Sequence, residues 1–368
     1  MMGLDVINPP DTKLEAVVTD LQGNLIWYYQ FPEESTTYAF PFPMKEFLPN
    51  GDILLNLAPA GGGDGAPGDL REIDLTGNTI RDMTTAELNT RLANAGFSLQ
   101  VNAVTHDVLP LANGHIILLA NHYRPYQGVS VVDDAIVDID QNWNPVWVWD
   151  TFDHLDINRR PENWPDWTHS NAILYSPDDG DLILSMRHQN WIIKIDYQDG
   201  KGSGNVLWRL GYQGDFTLQG GTSPQDWFFA QHAPKIISPN SSGIFDMAVF
   251  DNGNWRRLDD AGDECFAPGE PPCHSRVPIF RIDEINKTAT ITWVDNLSAY
   301  SVFGGYTQQL LNGDIEFDLC AFTLGPSSAR LMEVTPDPTP LTVWQLDIAN
   351  QNAYRAFRIP SLYPGVQW

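Results

Sequence analysis

Apolar residues in this 368-residue chain alternate with polar residues in short runs, and they rarely recur at the three-to-four spacing of a helix. One recurring unit is an Asn-Gly, Asp-Gly or similar turn followed by an apolar strand, at 48–59, 111–122, 178–189, 241–253 and 310–320. The other is a strand ending in Asp, a polar turn and a strand that often ends in Trp, at 17–29, 72–82, 137–150, 193–210, 280–295 and 331–347. Such turns between alternating apolar residues predict β-hairpins.

The two units alternate with a spacing of about 65 residues. Repeated hairpin pairs without helices are typical of a β-propeller. Five paired units are visible, and a sixth forms if 17–29 pairs with 353–362, which would close the ring and remove exposed sheet edges. We therefore predict an all-β fold, a six-bladed β-propeller of four-stranded antiparallel blades closed by the N- and C-terminal strands. The rival prediction is one large β-sandwich or two.

This prediction makes residues 1–368 a single propeller domain. The pattern predicts one short helix, at 84–96, in a connection between strands. No apolar run is long enough to span a bilayer, and the N-terminus lacks the basic and apolar regions of a signal peptide. We expect either an intracellular protein or one whose leader has been removed.

The chain is strongly acidic, with 47 Asp and Glu against 21 Lys and Arg, a formal net charge of −26. Nucleic acids and anionic membrane surfaces need a basic footprint, so we expect neither as a partner. An acidic surface repels anions, which makes any local cationic cluster more informative.

Such a cluster is predicted around three histidines, His106, His169 and His232, which lie one repeat spacing apart beside predicted strands. Arg187 ends the strand that follows His169. In a propeller, equivalent positions of successive blades meet at the axis. Arg and His donors suit an oxyanion, and His can also act as a nucleophile. Three histidines could instead bind zinc or iron, but the neighbouring Arg would repel a cation, so we expect no metal.

The other five histidines are interpreted as structural: His115, His122, His154, His188 and His274. Cys265 and Cys273 lie in a loop rich in Gly and Pro, and their spacing allows a small disulfide, which would indicate an oxidising compartment. Two free thiols are the alternative.

The same residues and their flanks resemble the bacterial aryl-sulfate sulfotransferases, from about residue 15 to the C-terminus. The similar segments are HDV at 106–108, THSNAI at 168–173, DLILSMRHQNWIIKID at 181–196, VLWRLG at 206–211, QHAP at 231–234 and FDNG at 250–253. The resemblance implies a six-bladed propeller that transfers a sulfuryl group from a phenolic sulfate ester to a phenol, with no cofactor and no nucleotide sulfate donor. It also implies a periplasmic or secreted protein. Longer members carry an N-terminal β domain that helps dimerisation; we expect it to be absent here, which leaves a homodimer as one possibility.

Residue by residue, the resemblance implies that His232 is the nucleophile, transiently sulfated in a ping-pong reaction. His169 and Arg187 would bind the sulfuryl oxygens, with Asn171 assisting. His106 would hold the same group, or protonate the departing phenoxide and later deprotonate the acceptor.

Trp227, Phe228 and Phe229 precede the proposed nucleophile and are predicted either to line the phenol pocket or to pack beneath the loop. Two other functions are compatible with the sequence. One is a propeller that binds a sulfated or other anionic ligand without reaction. The other is an aryl sulfatase with water as the acceptor, since transferase and sulfatase differ in how well the pocket excludes water.

Overall fold

The computed structural model describes residues 2–7, 15–30, 40–43, 48, 50–58, 68–162, 164–321 and 328–363. Its first strands are β1 (Met2–Ile7), β2 (Glu15–Thr19), β3 (Leu25–Gln30), β4 (Phe40–Pro43), β5 (Ile53–Ala58), β6 (Asp69–Ile73) and β7 (Thr79–Thr84). Helix α1 (Thr85–Asn94) precedes β8 (Ala103–Pro110), β9 (Ile116–Tyr126), β10 (Val129–Ile139) and β11 (Pro145–Asp150). After helix α2 (Thr151–His154) come β12 (Ser170–Ser176), β13 (Asp181–Met186), β14 (Trp191–Ile195) and β15 (Val206–Leu210).

The remaining strands begin with β16 (Thr217–Gln219), β17 (His232–Ile236), β18 (Ile244–Phe250), β19 (Arg276–Asp283) and β20 (Thr288–Asn296). They continue with β21 (Tyr306–Gln309), β22 (Ile315–Leu319), β23 (Ala329–Val334), β24 (Thr342–Ile348) and β25 (Asn352–Arg358). Short 3₁₀ turns lie at Arg187–Gln189 and Gln198–Gly200. In the described part of the chain, no helix combines the length and the apolar character needed to cross a membrane.

The strands form sheets of order β25-β1-β2-β3, β4-β5-β6-β7, β8-β9-β10-β11, β12-β13-β14-β15, β17-β18-β19-β20-β16 and β21-β22-β23-β24. The all-β propeller prediction is confirmed. The prediction of six four-stranded antiparallel blades is wrong, because only five of the described sheets are four-stranded and antiparallel throughout. The remaining sheet carries a fifth strand, β16, which pairs with β20 in parallel. β16 comes from the long connection after β15, where the hairpin pattern gives no strand signal.

One sheet joins the two ends of the chain, as predicted, but not with the predicted pairing. β25 pairs with β1, from Met2 opposite Arg358 to Ile7 opposite Asn352, and β1 then pairs with β2. The expected direct pairing of 17–29 with 353–362 is therefore wrong, because β1 lies between them. β25 supplies the innermost strand of this sheet, so the two chain ends hold each other.

The recurrent Asp of the second repeat unit has a local structural cause. Asp20, Asp74 and Asp140 each accept hydrogen bonds from the backbone N–H groups two and four residues later. These bonds fold the polar turn that links the two outer strands of a sheet. The Asp therefore fixes the hairpin register.

The recurrent Trp bridges neighbouring sheets. The indole N–H of an outer-strand Trp donates to the outer turn of the next sheet, in the pairs Trp27 to Leu75 O, Trp149 to Gly204 O, Trp208 to Glu284 Oε1, Trp293 to Asp337 O and Trp344 to Leu21 O. Where β7 has no Trp, Arg81 donates to the carbonyl of Gln141 instead. The contact of Trp344 with Leu21 returns from the last sheet to the first, so these bonds run around the whole ring.

Helix α1 confirms the predicted helix at 84–96. Thr84 and Glu87 form a reciprocal capping box at its start, and Leu88 and Leu92 are buried in the core. The helix packs beside the connection that leads into β8. It therefore supports the first of the strands that carry the candidate site.

Candidate active site

Each sheet presents one end strand to the propeller axis: β25, β4, β8, β12, β17 and β21. Neighbouring members of this set contact one another from β8 to β12, β17, β21 and β25. Residues at equivalent positions on these strands therefore meet near the axis, although they lie far apart in sequence.

The three predicted histidines lie at irregularities of three of these inner strands: His106 within β8, His169 directly before β12, and His232 at the start of β17. His106 and His169 have positive φ angles of 41° and 47°, and Ala233, next to His232, has 39°. The strand pairing shifts register at all three places. Bulges of this kind redirect a side chain out of the regular alternation, and they are frequent beside active sites. The positive φ values cost energy for non-Gly residues, so the surrounding contacts must hold these histidines in place.

The structure brings the predicted histidines together around a tyrosine that the sequence analysis did not single out. The ring centres of His106 and His169 are 4.9 Å apart. The ring of Tyr354, on β25, lies 6.0 Å from that of His106 and 6.0 Å from that of His232. All four rings are largely buried, so they form one compact group at the axis.

The protonation of His232 follows from its two neighbours. Asn252 donates from Nδ2 to the carbonyls of Ser301 and Gly304, which directs its Oδ1 toward His232 Nδ1 at 2.7 Å. His232 Nδ1 therefore carries the proton and donates it to Asn252. His232 Nε2 accepts from the Gly304 N–H at 3.2 Å, so Nε2 holds the lone pair.

Electrostatics keep this imidazole neutral. Burial, followed by the positive charge of Arg187, lowers the pKa of His232 well below 6.5, and charge on His169 and His106 acts in the same direction. The hydrogen bond to Asn252 opposes this shift but does not overcome it. At neutral pH, His232 is therefore an uncharged imidazole with a lone pair at Nε2.

His169 is oriented by an aspartate three residues earlier. Asp166 Oδ2 lies 2.7 Å from His169 Nδ1. Burial favours the neutral form of Asp166, but the bond to His169 and the charges of the nearby histidines outweigh it and lower the pKa of Asp166. The buried Asp134 holds the residues on either side of His169, because it accepts hydrogen bonds from the Thr168 hydroxyl and from the Ser170 N–H.

Arg187 is held by the histidine that follows it. His188 donates from Nδ1 to the carbonyl of Asp166 at 2.8 Å, so its Nε2 accepts from Arg187 Nη1. Burial, with the charges of His169 and Arg187, lowers the pKa of His188 to about 3, which keeps it a neutral acceptor. Arg187 Nε is buried and makes no hydrogen bond in the described residues. The guanidinium therefore keeps one N–H group that no described residue satisfies.

Asn171 connects the inner strands at the axis through hydrogen bonds of its side chain and its main chain. Its Nδ2 donates to the carbonyl of Gln231, the residue before His232, at 2.7 Å. The main-chain carbonyl of Asn171 accepts a hydrogen bond from Arg355, and the guanidinium of Arg355 also forms an ion pair with Asp107 at 2.8 Å. These bonds join β8, β12, β17 and β25 behind the histidines. Asn171 Oδ1 is buried without a hydrogen-bond partner among the described residues.

The FDNG segment at 250–253 supports the strand of the proposed nucleophile. Asp251 accepts from the Phe229 N–H, and Arg256 and Arg276 bind its other oxygen. Gly253 has φ +78°, and a Cβ there would lie 2.2 Å from the carbonyl of His274, so only Gly fits this position. The segment thus places Asn252 against His232.

The aromatic residues before His232 divide into two environments. Trp227 and Phe228 are 2% and 0% exposed and pack against Phe280 in the core between sheets. Here they act as hydrophobic packing beneath the loop, the second of the two predicted roles. Phe229 also lines a cavity near the Arg187 turn.

The predicted cysteine pair is bonded in the structure. Cys265 and Cys273 form a disulfide with a Cα–Cα distance of 5.0 Å, whereas Cys320 is a buried free thiol. The loop that the bond closes follows the FDNG segment, and residues 257–264 just before it form one wall of that cavity.

Two groups of side chains have atoms close enough together to hold a metal ion: Asp166, His169 and His188, and a second group of His122, Asp133 and Asp150. In the first group, His188 Nε2 already accepts from Arg187, whose charge opposes a cation. In the second, burial lowers the pKa of His122, but its two aspartates outweigh that effect and raise it to about 9. The protonated His122, together with Arg124 bound to Asp150, therefore balances the negative charge of the two aspartates.

Several residues of the site are not among those predicted from the sequence. His188, which the sequence alone indicates to be structural, lies within the motif that contains Arg187. Asp166 and Asn252 lie beside predicted site residues, and the FDNG motif was the available signal for Asn252. Tyr354 had no signal, because β25 reaches the axis only through ring closure.

Comparison with solved structures shows low overall similarity. A putative 6-phosphogluconolactonase from Bacteroides fragilis aligns with TM-score 0.43 and 12% identity over 97% of this chain and 83% of that one. A similar protein from Bacteroides uniformis gives TM-score 0.44 and 12% identity over 94% and 81%. Drosophila Semaphorin 1b gives TM-score 0.40 and 10% identity over 85% and 53%. No curated protein sequence matches the chain.

The family comparison covers nearly the whole propeller and the site within it. The family model Arylsulfotransferase (ASST) matches residues 3–355, from β1 to the residue after Tyr354. This range contains every histidine and the arginine described above. The chain therefore belongs to the arylsulfotransferase (ASST) family, and an aryl sulfotransferase activity follows in general terms.

Proposed function

We propose that this protein moves a sulfuryl group from a phenolic sulfate ester to a phenol, through a sulfated His232 and without a nucleotide sulfate donor. The observation that carries the proposal is the state of His232: its Nδ1 proton is directed to Asn252, its Nε2 keeps a lone pair, and Arg187 lies close enough to lower its pKa. A neutral imidazole beside a guanidinium suits attack on an anionic ester.

In the first half-reaction, His232 Nε2 attacks sulfur, the sulfur–oxygen bond to the phenol breaks, and its electron pair leaves on the phenol oxygen. Arg187 and His169 bind the sulfuryl oxygens, on which charge is redistributed in the transition state. The Gly304 N–H, now directed at Nε2, is placed to donate to one of the same oxygens. In the second half-reaction a phenol oxygen attacks sulfur, and the bonding pair returns to Nε2.

Roles for the remaining residues follow from their contacts. His106 packs against His169 and Tyr354, where it would hold the sulfuryl group. Asn171 would assist by fixing the backbone before His232. We also propose a periplasmic or secreted location, which the Cys265–Cys273 disulfide favours, because such bonds persist in oxidising compartments.

The test is incubation with 4-nitrophenyl sulfate, with and without a second phenol. We expect a burst of nitrophenolate and one added sulfuryl group on a His232 peptide without acceptor, and continuous release when the phenol is present. Continuous release without phenol would instead indicate a sulfatase. Binding of the ester without release or mass change would indicate a propeller that only binds anions. Either result would overturn the proposal.

A further inference from the structure

A cavity of about 220 Å³ lies beside the turn that carries Arg187. Asn190, which ends that turn, and Phe229, three residues before His232, both line it. The wall also includes Arg159, Glu162, Tyr212 and Trp255. The cavity therefore adjoins the end of the turn that carries the predicted anion-binding arginine, and also the segment that leads to the nucleophile. Its aromatic residues suit a flat ring.

Glu162 is the group of this wall whose contacts the fold does not explain. Both of its carboxylate oxygens are buried, and neither has a hydrogen-bond partner among the described residues. The Asn190 side chain lies beside the carboxyl group and lowers its pKa, while the Oδ1 atom of Asn190 accepts from the Ala230 N–H. Buried carboxylates without partners are costly, and they commonly mark a function.

The charges that face Glu162 come from several elements. Arg187 and His169 belong to the candidate site and Arg159 to the cavity wall. Glu264 approaches from the segment just before the disulfide loop, and the phenol of Tyr300 lies near both Glu162 and Arg187. Burial raises the pKa of Glu162 to about 7, and Arg187, Asn190 and His169 only partly oppose this shift. Near neutral pH the carboxyl group is thus available both as an acid and as a base.

Building on the proposed function, we propose that Glu162 transfers the proton of the aryl oxygen in both half-reactions, and that the adjoining cavity binds the phenol ring. The substrate class is a phenol with an unactivated hydroxyl, whose oxide is a poor leaving group without protonation. With proton transfer assigned to Glu162, the remaining predicted role of His106 is to hold the sulfuryl group.

The proton balance closes over one turnover. In the first half-reaction, protonated Glu162 gives its proton to the departing phenol oxygen as the sulfur–oxygen bond breaks and the sulfur–Nε2 bond forms. Glu162 is then ionised. In the second half-reaction it takes the proton of the acceptor hydroxyl while that oxygen bonds to sulfur and the sulfur–Nε2 bond breaks. The carboxyl group returns to its starting state, and no other reactant is required.

The test is Glu162→Gln, which keeps the shape of the side chain but cannot carry the proton. We expect sulfation of His232 by 4-nitrophenyl sulfate to remain within about threefold of wild type, because nitrophenolate leaves without protonation. Sulfation by unsubstituted phenyl sulfate should fall about 100-fold or more, in line with the usual contribution of a positioned acid or base. The limb of the wild-type pH profile near 7 should disappear in the variant.

The control is Glu316→Gln. Glu316 is also buried with a pKa raised to about 7 by burial, but Arg358 binds it at 2.6 Å, and it lies on β22 outside the cavity. This variant should keep the ratio of the two donors. An equal loss with both donors in Glu162→Gln, or no loss with phenyl sulfate, would overturn the assignment of Glu162. Absence of sulfated His232 in the wild type would overturn the proposed function instead, so the two failures are distinguishable.

Discussion

Replacing Asn252 with Ala tests how the fold prepares His232 for reaction. The substitution removes the only described acceptor for His232 Nδ1–H, and it removes the two bonds to the carbonyls of Ser301 and Gly304 that aim that acceptor. The imidazole can then place its proton on Nε2, where the lone pair is needed. We therefore expect Asn252→Ala to slow the sulfation of His232, in addition to any loss of folding stability.

The size of the effect follows from the cost of an unsatisfied buried donor, about 1–3 kcal/mol. If the tautomer with its proton on Nδ1 becomes less stable by this amount, the rate of His232 sulfation falls about 5- to 150-fold. The assay is rapid quenching of enzyme with 4-nitrophenyl sulfate, followed by the mass of the intact protein at each time. Ala should slow this first half-reaction while the final extent of sulfation stays near one group.

The matched control is Ser275→Ala. Ser275 Oγ donates to the Asn252 carbonyl at 3.0 Å and accepts the Ser301 N–H, so it supports the same loop without touching His232. We expect this variant to melt at a lower temperature yet react at the wild-type rate. A sulfation rate for Asn252→Ala within twofold of wild type would refute the argument from the tautomer.

Two further predictions concern stability. Asp251→Asn leaves Arg256 and Arg276 buried without their shared carboxylate, so urea unfolding should show a loss of about 3–5 kcal/mol; a loss below about 1 kcal/mol would contradict this. The pKa of His122 is raised from 6.5 to about 9, so its contribution is complete below pH 6.5 and lost as pH rises to 9. The unfolding free energy should fall by up to about 3 kcal/mol over this range, and an equal fall in His122→Gln would exclude His122 as the cause.

The sequence predicts the elements of this fold because their determinants are local. An Asp such as Asp74 accepts hydrogen bonds from the next few residues, and a helix start such as Thr84 pairs with Glu87. β16 could not be predicted in this way, because among the described strands it pairs only with β20, about 70 residues further along the chain. The pairing of β1 with β25 could not be predicted locally either, because β25 lies near the other end of the chain, whereas the second partner of β1 is the neighbouring β2.

The site is predicted in part for the same reason. The spacing of His106, His169 and His232 indicates equivalent strands, and the structure places all three at inner-strand bulges. An apolar run cannot distinguish a core from an aryl pocket, since both need apolar side chains, so the sequence could not assign Phe228. Glu162 lies in a long connection, and its burial depends on loops that come together only in the folded protein.

The position of β25 in the chain determines when, during synthesis, the candidate site can be completed. Synthesis proceeds from the N-terminus, and domains begin to fold as they emerge. β25 brings Tyr354 to the histidines and Arg355 to Asp107, yet it leaves the ribosome after all the other described strands of the propeller. Until then the axis beside His106 and His232 lacks one wall. An unfinished chain would therefore hold all three histidines but not a closed site.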